Sequence, residues 1–207
     1  STVQKSIDNG ATFTIVQNIS GANRIALGVS NANSGYLYAL ASNGSGNGFL
    51  GFYQSVDTAK TFTLKATTPN LLGWDSDGGD SGGQGWYDLC LAVDPTDPEV
   101  VYTGGVNVWK STNGGTAWSL RTHWSGASGV QTVHADQHCM EWQNPTTLWL
   151  GNDGGIYKST NGGVNWSDKS NGLIISQMYK LGVSQADAKV ITGLQDNGTK
   201  LKGTSGT

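Results

Sequence analysis

The chain has 207 residues and is short of charge, cysteine and arginine, and each shortage narrows what it can be. Charged residues make up only 13% and the net charge is −3, so no basic surface is available for nucleic acid or acidic membranes. No apolar run approaches the length of a membrane span. The two cysteines, Cys90 and Cys139, fall where first strands of neighbouring repeats are expected. Adjacent strands of that kind rarely bring Cα atoms within the roughly 7 Å that a disulfide needs. Two buried small hydrophobes are therefore expected, and the thiols set no redox compartment. What the chain has in quantity is glycine, 31 residues of it, together with Ser, Thr and Asn. That mixture suits many turns, short strands and an uncharged surface, as in exported β-proteins. No signal peptide is present; the numbering opens inside a repeat, so a trimmed N-terminus is expected, and the absence says nothing about compartment.

One segment organises the rest. Residues 108–118 run from Val108 through Ser111, Asn113 and Gly115 to Trp118, and residues 156–166 repeat them through Ser159, Asn161 and Gly163 to Trp166. Glycine accepts positive φ, and Asn or Asp bonds backbone two residues on, so such a loop closes on itself. The aromatic that follows is expected to pack under the loop. Two weaker copies precede these: Ser6, Asp8, Gly10 and Phe13, then Ser55, Asp57 and Phe62, where the glycine is lost. The serines at 6, 55, 111 and 159 recur every 48 to 56 residues. A period near 50 with β character throughout marks a propeller array.

The predicted fold is all-β: a β-propeller of four-stranded antiparallel blades, A to D from the channel outward, with each Ser turn joining C to D. The parse gives C–D strands over 1–16, blades over 24–65, 87–121 and 136–168, and a partial blade over 178–207. Pro95, Pro98 and Pro145 fall between A and B, where proline starts a turn without disturbing a central strand. The partial ends are complementary, C–D at the front and A–B at the back, so they could close a four-bladed ring; a segment of a larger propeller, for example one of seven blades, is the favoured expectation. Its open flanks would be covered by the remainder of the propeller or by another copy.

In a propeller the B–C and D–A loops share one face, opposite the Ser turns. The longest D–A loop spans 66–86 and holds Trp74, Asp75, Asp77, Asp80 and Trp86. Loops of that length are often functional. Three readings stay open for it: a solvated glycine-rich loop, an irregular Ca²⁺ site on Asp75, Asp77 and Asp80, or a sugar platform on Trp74 and Trp86. An EF-hand is excluded, because the fifth and twelfth positions would be Gly79 and Trp86. The next D–A loop carries His134, Asp136 and His138 at alternate positions. In an extended chain the two histidines stand roughly 13 Å apart, too far for one Zn²⁺ without a kink. Polar residues at the channel mouth are the favoured reading. The B–C turns holding Asp153 and Asp196 read first as tight Asp-Gly and Asn-Gly hairpins.

The pattern Ser-x-Asp/Asn-x-Gly with a following Phe or Trp resembles the Asp-box of sialidases, sortilin-type domains and xyloglucanase-type glycoside hydrolases. The resemblance implies a structural hairpin at all four copies. In xyloglucanase-type enzymes a catalytic Asp precedes a Gly-Gly that leads into strand C. That is the setting of Asp153, although this sequence is one residue shorter there. Asp136 is the candidate second carboxylate, with Asp80, Asp196, His134 and His138 on the same face. Sialidase chemistry is excluded, since that resemblance requires three arginines and the chain has only Arg24 and Arg121. The stretches 83–89, 134–138 and 193–199 resemble the repeat regions of large secreted bacterial proteins. This likeness spans more of the chain and implies a binding or scaffold propeller acting on polysaccharide or a cell-surface protein. The expected function is thus a carbohydrate- or protein-binding module of an exported, bacterial protein, with a glycoside hydrolase as the alternative. Trp74, Trp86, Asp80, His134, His138 and Asp196 are the ligand-binding candidates. Apart from the Ca²⁺ reading, no cofactor is expected.

Overall fold

The computed structural model describes residues 1–127, 129–173, 178–194 and 198–203. Among these residues all regular structure is β, and no helix is long and apolar enough to cross a membrane. The first sheet pairs β1 (Thr2–Lys5) with β2 (Thr14–Asn18). The second runs β3 (Ala22–Val29), β4 (Leu37–Asn43), β5 (Phe49–Ser55) and β6 (Thr63–Ala66). The third holds β7 (Cys90–Val93), β8 (Val101–Gly104), β9 (Val108–Ser111), β10 (Ser119–His123) and β11 (Gln131–Thr132). The fourth holds β12 (Gln137–Asn144), β13 (Thr147–Asn152), β14 (Gly155–Ser159) and β15 (Ser167–Asp168), and the fifth β16 (Met178–Val183), β17 (Val190–Leu194) and β18 (Thr199–Lys202). Sequence neighbours pair antiparallel throughout, except that β11 adds to β10 in parallel through Thr122↔Gln131 and His123↔Thr132. These sheets are the blades of a β-propeller segment.

The sheets bury their apolar faces against one another. Val3, Ile19, Ala39 and Ala41 fill the space between the first and second sheets. Tyr38, Leu40, Phe52, Val93, Val101 and Trp109 fill the next interval. Tyr102, Val108, Met140, Leu148, Leu150 and Trp166 join the third sheet to the fourth. A tyrosine on strand B reaches across each of the last two intervals. Tyr38 Oη donates to Pro98 O at 2.6 Å, and Tyr102 Oη donates to Gly162 O at 2.6 Å. These bonds tie each blade to the turns of the following one, on the face where A–B and C–D turns lie together.

All four Ser turns share one hydrogen-bond scheme. Ser111 Oγ donates to Asn113 Oδ1 at 2.9 Å and accepts Gly115 N–H at 2.9 Å, while Asn113 Oδ1 accepts Ala117 N–H at 2.9 Å. Ser159, Asn161, Gly163 and Asn165 reproduce it. Asp8 adds a second bond, taking Thr12 Oγ1 at 2.6 Å, and the hydroxyls of Thr12 and Ser6 hold its carboxyl down at about 2. In the copy that lost its glycine, Ala59 occupies the left-handed region at φ 56° and still donates its N–H to Ser55 Oγ at 3.0 Å. The serine hydroxyl therefore holds the turn even where the residue is unfavourable. Trp118 donates its indole N–H to Gly115 O at 3.0 Å, as an aromatic packed under its loop should, whereas Phe13, just before β2, is exposed.

Two expectations are corrected here. Tyr87 and Asp88 do not open strand A. Their N–H groups turn back onto Gln84 O at 2.7 and 3.0 Å, so β7 begins only at Cys90. The cysteines are both free, but only Cys90 is buried; Cys139 is exposed, on the face of β12 opposite Met140, which packs towards the third sheet.

Candidate functional site

The B–C and D–A loops meet on the face opposite the Ser turns. There the long loop after β6 is built rather than solvated. Asn70 Oδ1 accepts Phe49 N–H at 2.9 Å, and its Nδ2 donates to Asp80 O at 2.9 Å and Gly82 O at 2.7 Å. Leu71 and Leu72 are fully buried in the core between the second and third sheets. Downstream, Gly83 and Gly85 run against the β4–β5 turn, donating to Gly46 O at 3.0 Å and Asn47 O at 2.9 Å. A Cβ on Gly85 would stand 2.4 Å from Ser42 Cβ, so only glycine permits that approach.

Pinned in this way, the loop delivers Trp74 to a cavity. Buried Asn107 donates Nδ2 to Gly73 O at 3.2 Å and Trp74 O at 3.3 Å, and its Oδ1 accepts Trp124 N–H at 3.0 Å. His123 Nε2 also lies 3.0 Å from Trp74 O. Asn107 thereby fixes two tryptophans from different loops, 40% and 44% exposed, on the walls of one cavity of about 320 Å³. Gln84, His134 and Asp136 supply its polar wall. Gln84 Nε2 donates to Asp136 Oδ1 at 2.7 Å, and Asp136 takes the left-handed backbone at φ 66°. Behind it lies Asp88, fully buried, with neither carboxyl oxygen completing a hydrogen bond and Asp136 as its neighbour. Burial, then the charge of Asp136, push the Asp88 carboxyl up to about 8.

A second cavity of about 330 Å³ is lined by His138, Asp153, Cys139, Ile156 and Leu173 with intervening glycine backbone. Asp153 Oδ2 accepts the Tyr87 hydroxyl at 2.8 Å, and His138 Nε2 lies 2.7 Å from Asp153 Oδ1. The Tyr87 ring meets the His138 imidazole edge-on at 4.8 Å. Arg24 holds this corner in place, its Nη1 donating to Trp86 O at 3.2 Å and Tyr87 O at 2.7 Å. The Asp153 side chain is only 8% exposed, against 36% for His138.

The sequence-based candidates separate on this geometry. Asp136 and Asp153 line different cavities, as do His134 and His138, so no single metal ion takes both histidines. The Ca²⁺ reading does not fit. Asp80 Oδ2 accepts Trp74 N–H at 2.6 Å, Asp77 Oδ1 accepts Gly79 N–H at 2.9 Å, and no group of three acidic, His or Cys ligands able to hold a metal occurs among the described residues. These aspartates shape the loop. Trp86 is 59% exposed and leans on Tyr87 at 5.4 Å between centroids, but it does not line the Trp74 cavity. Asp196 lies outside the described residues. Trp124 and Asn107 were not singled out, and Gln84, Tyr87 and Asp88 entered only as part of the 83–89 stretch, with no role of their own. Only Asp88 left a signal, as a lone acid at the head of an apolar strand pattern.

No family model matches the chain, and no curated protein matches it. Among solved structures it is similar to an ancestral GH74 enzyme, at 19% identity and a TM-score of 0.53 over 93% of this chain and 24% of that one. It is also similar to the GH74 xyloglucanase from Xanthomonas campestris, at 18% identity and a TM-score of 0.50 over 89% of this chain and 29% of that one. The chain spans about a quarter of the length of these neighbours. The likeness is one of fold, that of a β-propeller segment.

Proposed function

We propose that this propeller segment is a carbohydrate-binding module of an exported protein, its four Ser turns being Asp-boxes, and that it takes glycan at the Trp74–Trp124 cavity. The observation that carries the proposal is the convergence of two exposed indole rings with Gln84, His134 and Asp136 on one cavity open to solvent. Aromatic faces pack on the apolar C–H faces of pyranose rings, and planar amide, imidazole and carboxyl groups pair with hydroxyls. An apolar wall with a few fixed polar groups is what small-ligand recognition requires. The reading rests on the lining of this cavity and not on the fold likeness to GH74 enzymes.

Hydrolysis is the second reading, and one observation favours it: Asp153 stands before Gly154-Gly155 at the mouth of a cavity. Against it, both oxygens of Asp153 already have partners, and its side chain is nearly buried. Hydrolysis also needs a second carboxylate about 5–10 Å away across the same cleft, and the candidate, Asp136, lines the other cavity. The test is calorimetric titration of neutral oligosaccharides into wild type, Trp124→Ala and Asp153→Asn, with reducing-end release followed in parallel. Binding lost in Trp124→Ala, kept in Asp153→Asn and unaccompanied by turnover supports a binding module. Turnover abolished by Asp153→Asn supports the hydrolase.

A further inference from the structure

Asp88 is costly to ionise. It is fully buried, and neither carboxyl oxygen completes a hydrogen bond, its own backbone N–H being the donor that lies near. The groups facing it are few. Asp136 comes from the loop before β12, Arg24 from β3 makes a weak favourable contribution, and the Cys90 thiol sits at the start of its own strand. The Arg24 guanidinium is directed at the carbonyls of Trp86 and Tyr87, so it does not neutralise Asp88 by contact. A carboxylate left so placed would bear a desolvation cost that proteins avoid by protonation. Two facing carboxyls hydrogen-bond only when a proton stands between them, and like charges in such contact cannot both ionise.

We propose that Asp88 and Asp136 act as a carboxyl pair sharing one proton, which positions Asp136 at the cavity wall and links uptake of a neutral glycan to that proton. The inference rests on the carbohydrate reading of the cavity. Asp136 is held from both sides, by Gln84 at 2.7 Å and by the shared proton from Asp88. Its left-handed backbone at φ 66° places the carboxyl between them, a conformation that needs such support in a non-glycine residue. With one proton the pair carries a single negative charge, so acidic sugars meet repulsion at this wall while neutral hydroxyls find a fixed acceptor. Loss of that proton above pH about 8 leaves two adjacent anions, one of them fully buried. They separate, Asp136 leaves its place, and the cavity loses its polar wall.

Asp88→Asn supplies the test, since an amide donates to Asp136 without titrating. In the intact chain at pH 7, the infrared carbonyl band of a protonated carboxyl should be present in wild type and absent in Asp88→Asn. Glycan affinity of wild type should fall about tenfold per pH unit above the pair's titration, as release of one proton requires. Asp88→Asn should bind equally from pH 6 to pH 9, and Asp88→Leu, lacking a donor, should bind weakly at every pH. Absence of the protonated band at pH 7 overturns the pair. A band with pH-independent binding overturns the linkage. Failure of every neutral glycan to bind, with the band present, overturns the carbohydrate reading and the linkage with it, while the carboxyl pair stands.

Discussion

Ser111→Ala should destabilise the protein far more than Ser6→Ala, although both remove the same hydroxyl from the same turn. Ser111 Oγ accepts the N–H groups of Gly115 at 2.9 Å and Asn113 at 3.3 Å, and donates to Asn113 Oδ1 at 2.9 Å. Ser111 is 1% exposed, and Gly115 is buried with the Phe52 ring packed on it. Alanine therefore strands the Gly115 N–H where water cannot reach it, at a cost of about 1–3 kcal/mol. Asn113 is exposed, so its lost partners are largely replaced by water. A total of about 2 kcal/mol corresponds to a fall in Tm of roughly 4–8 °C for a chain of this size. In the first copy Gly10 is exposed, and the N–H that loses Ser6 Oγ is taken up by solvent. That variant should shift Tm by about 1 °C. Differential scanning calorimetry of both variants and wild type decides the matter. Equal shifts would show that burial of the turn, the basis of this estimate, does not govern its contribution.

Asp88→Asn should also change the pH dependence of stability. A carboxyl raised from 3.8 to about 8 on folding binds its proton more tightly in the native state, so stability is full below pH 4 and is lost as pH rises to about 8. Urea midpoints of wild type should fall across that window by at most about 6 kcal/mol equivalent, and those of the variant should stay level. Asn107→Ala should abolish glycan binding by releasing Trp74 and Trp124 together, measurable by calorimetry against an Asn107→Asp control that keeps the acceptor for Trp124 N–H. Tyr102→Phe removes the bond to Gly162 O and should cost about 1 kcal/mol in a urea titration. Trp86→Ala should leave glycan affinity within twofold of wild type, since that ring lies outside the Trp74 cavity.

The propeller was legible because its determinants are local and repeated. A serine bonding Asn or Asp two residues on and Gly four residues on writes the turn into consecutive positions, and the strands follow from it. The face was legible too, since a long D–A loop with tryptophans can only lie opposite the Ser turns. The site itself was not. Trp74 finds its partner in Trp124, 50 positions later, through Asn107, and no local pattern marks three residues from two loops and a turn. Trp86 looked equivalent to Trp74, but the backbone turn at Gln84 directs it onto Tyr87 instead. The acids of the long loop looked like ligands because loop acids and metal ligands share a composition. Only the fold shows Asp80 closing on its own backbone at Trp74.

The central claim is that glycan is taken between Trp74 and Trp124. The most direct measurement is a proton–nitrogen correlation spectrum of the tryptophan indole N–H groups during titration with neutral oligosaccharides, assigned by single Trp→Phe variants. The account predicts that the signals of Trp74 and Trp124 move together along one saturation curve while that of Trp86 stays still. Movement of Trp86 alone, or no movement of Trp74 and Trp124 at saturating sugar, would contradict it.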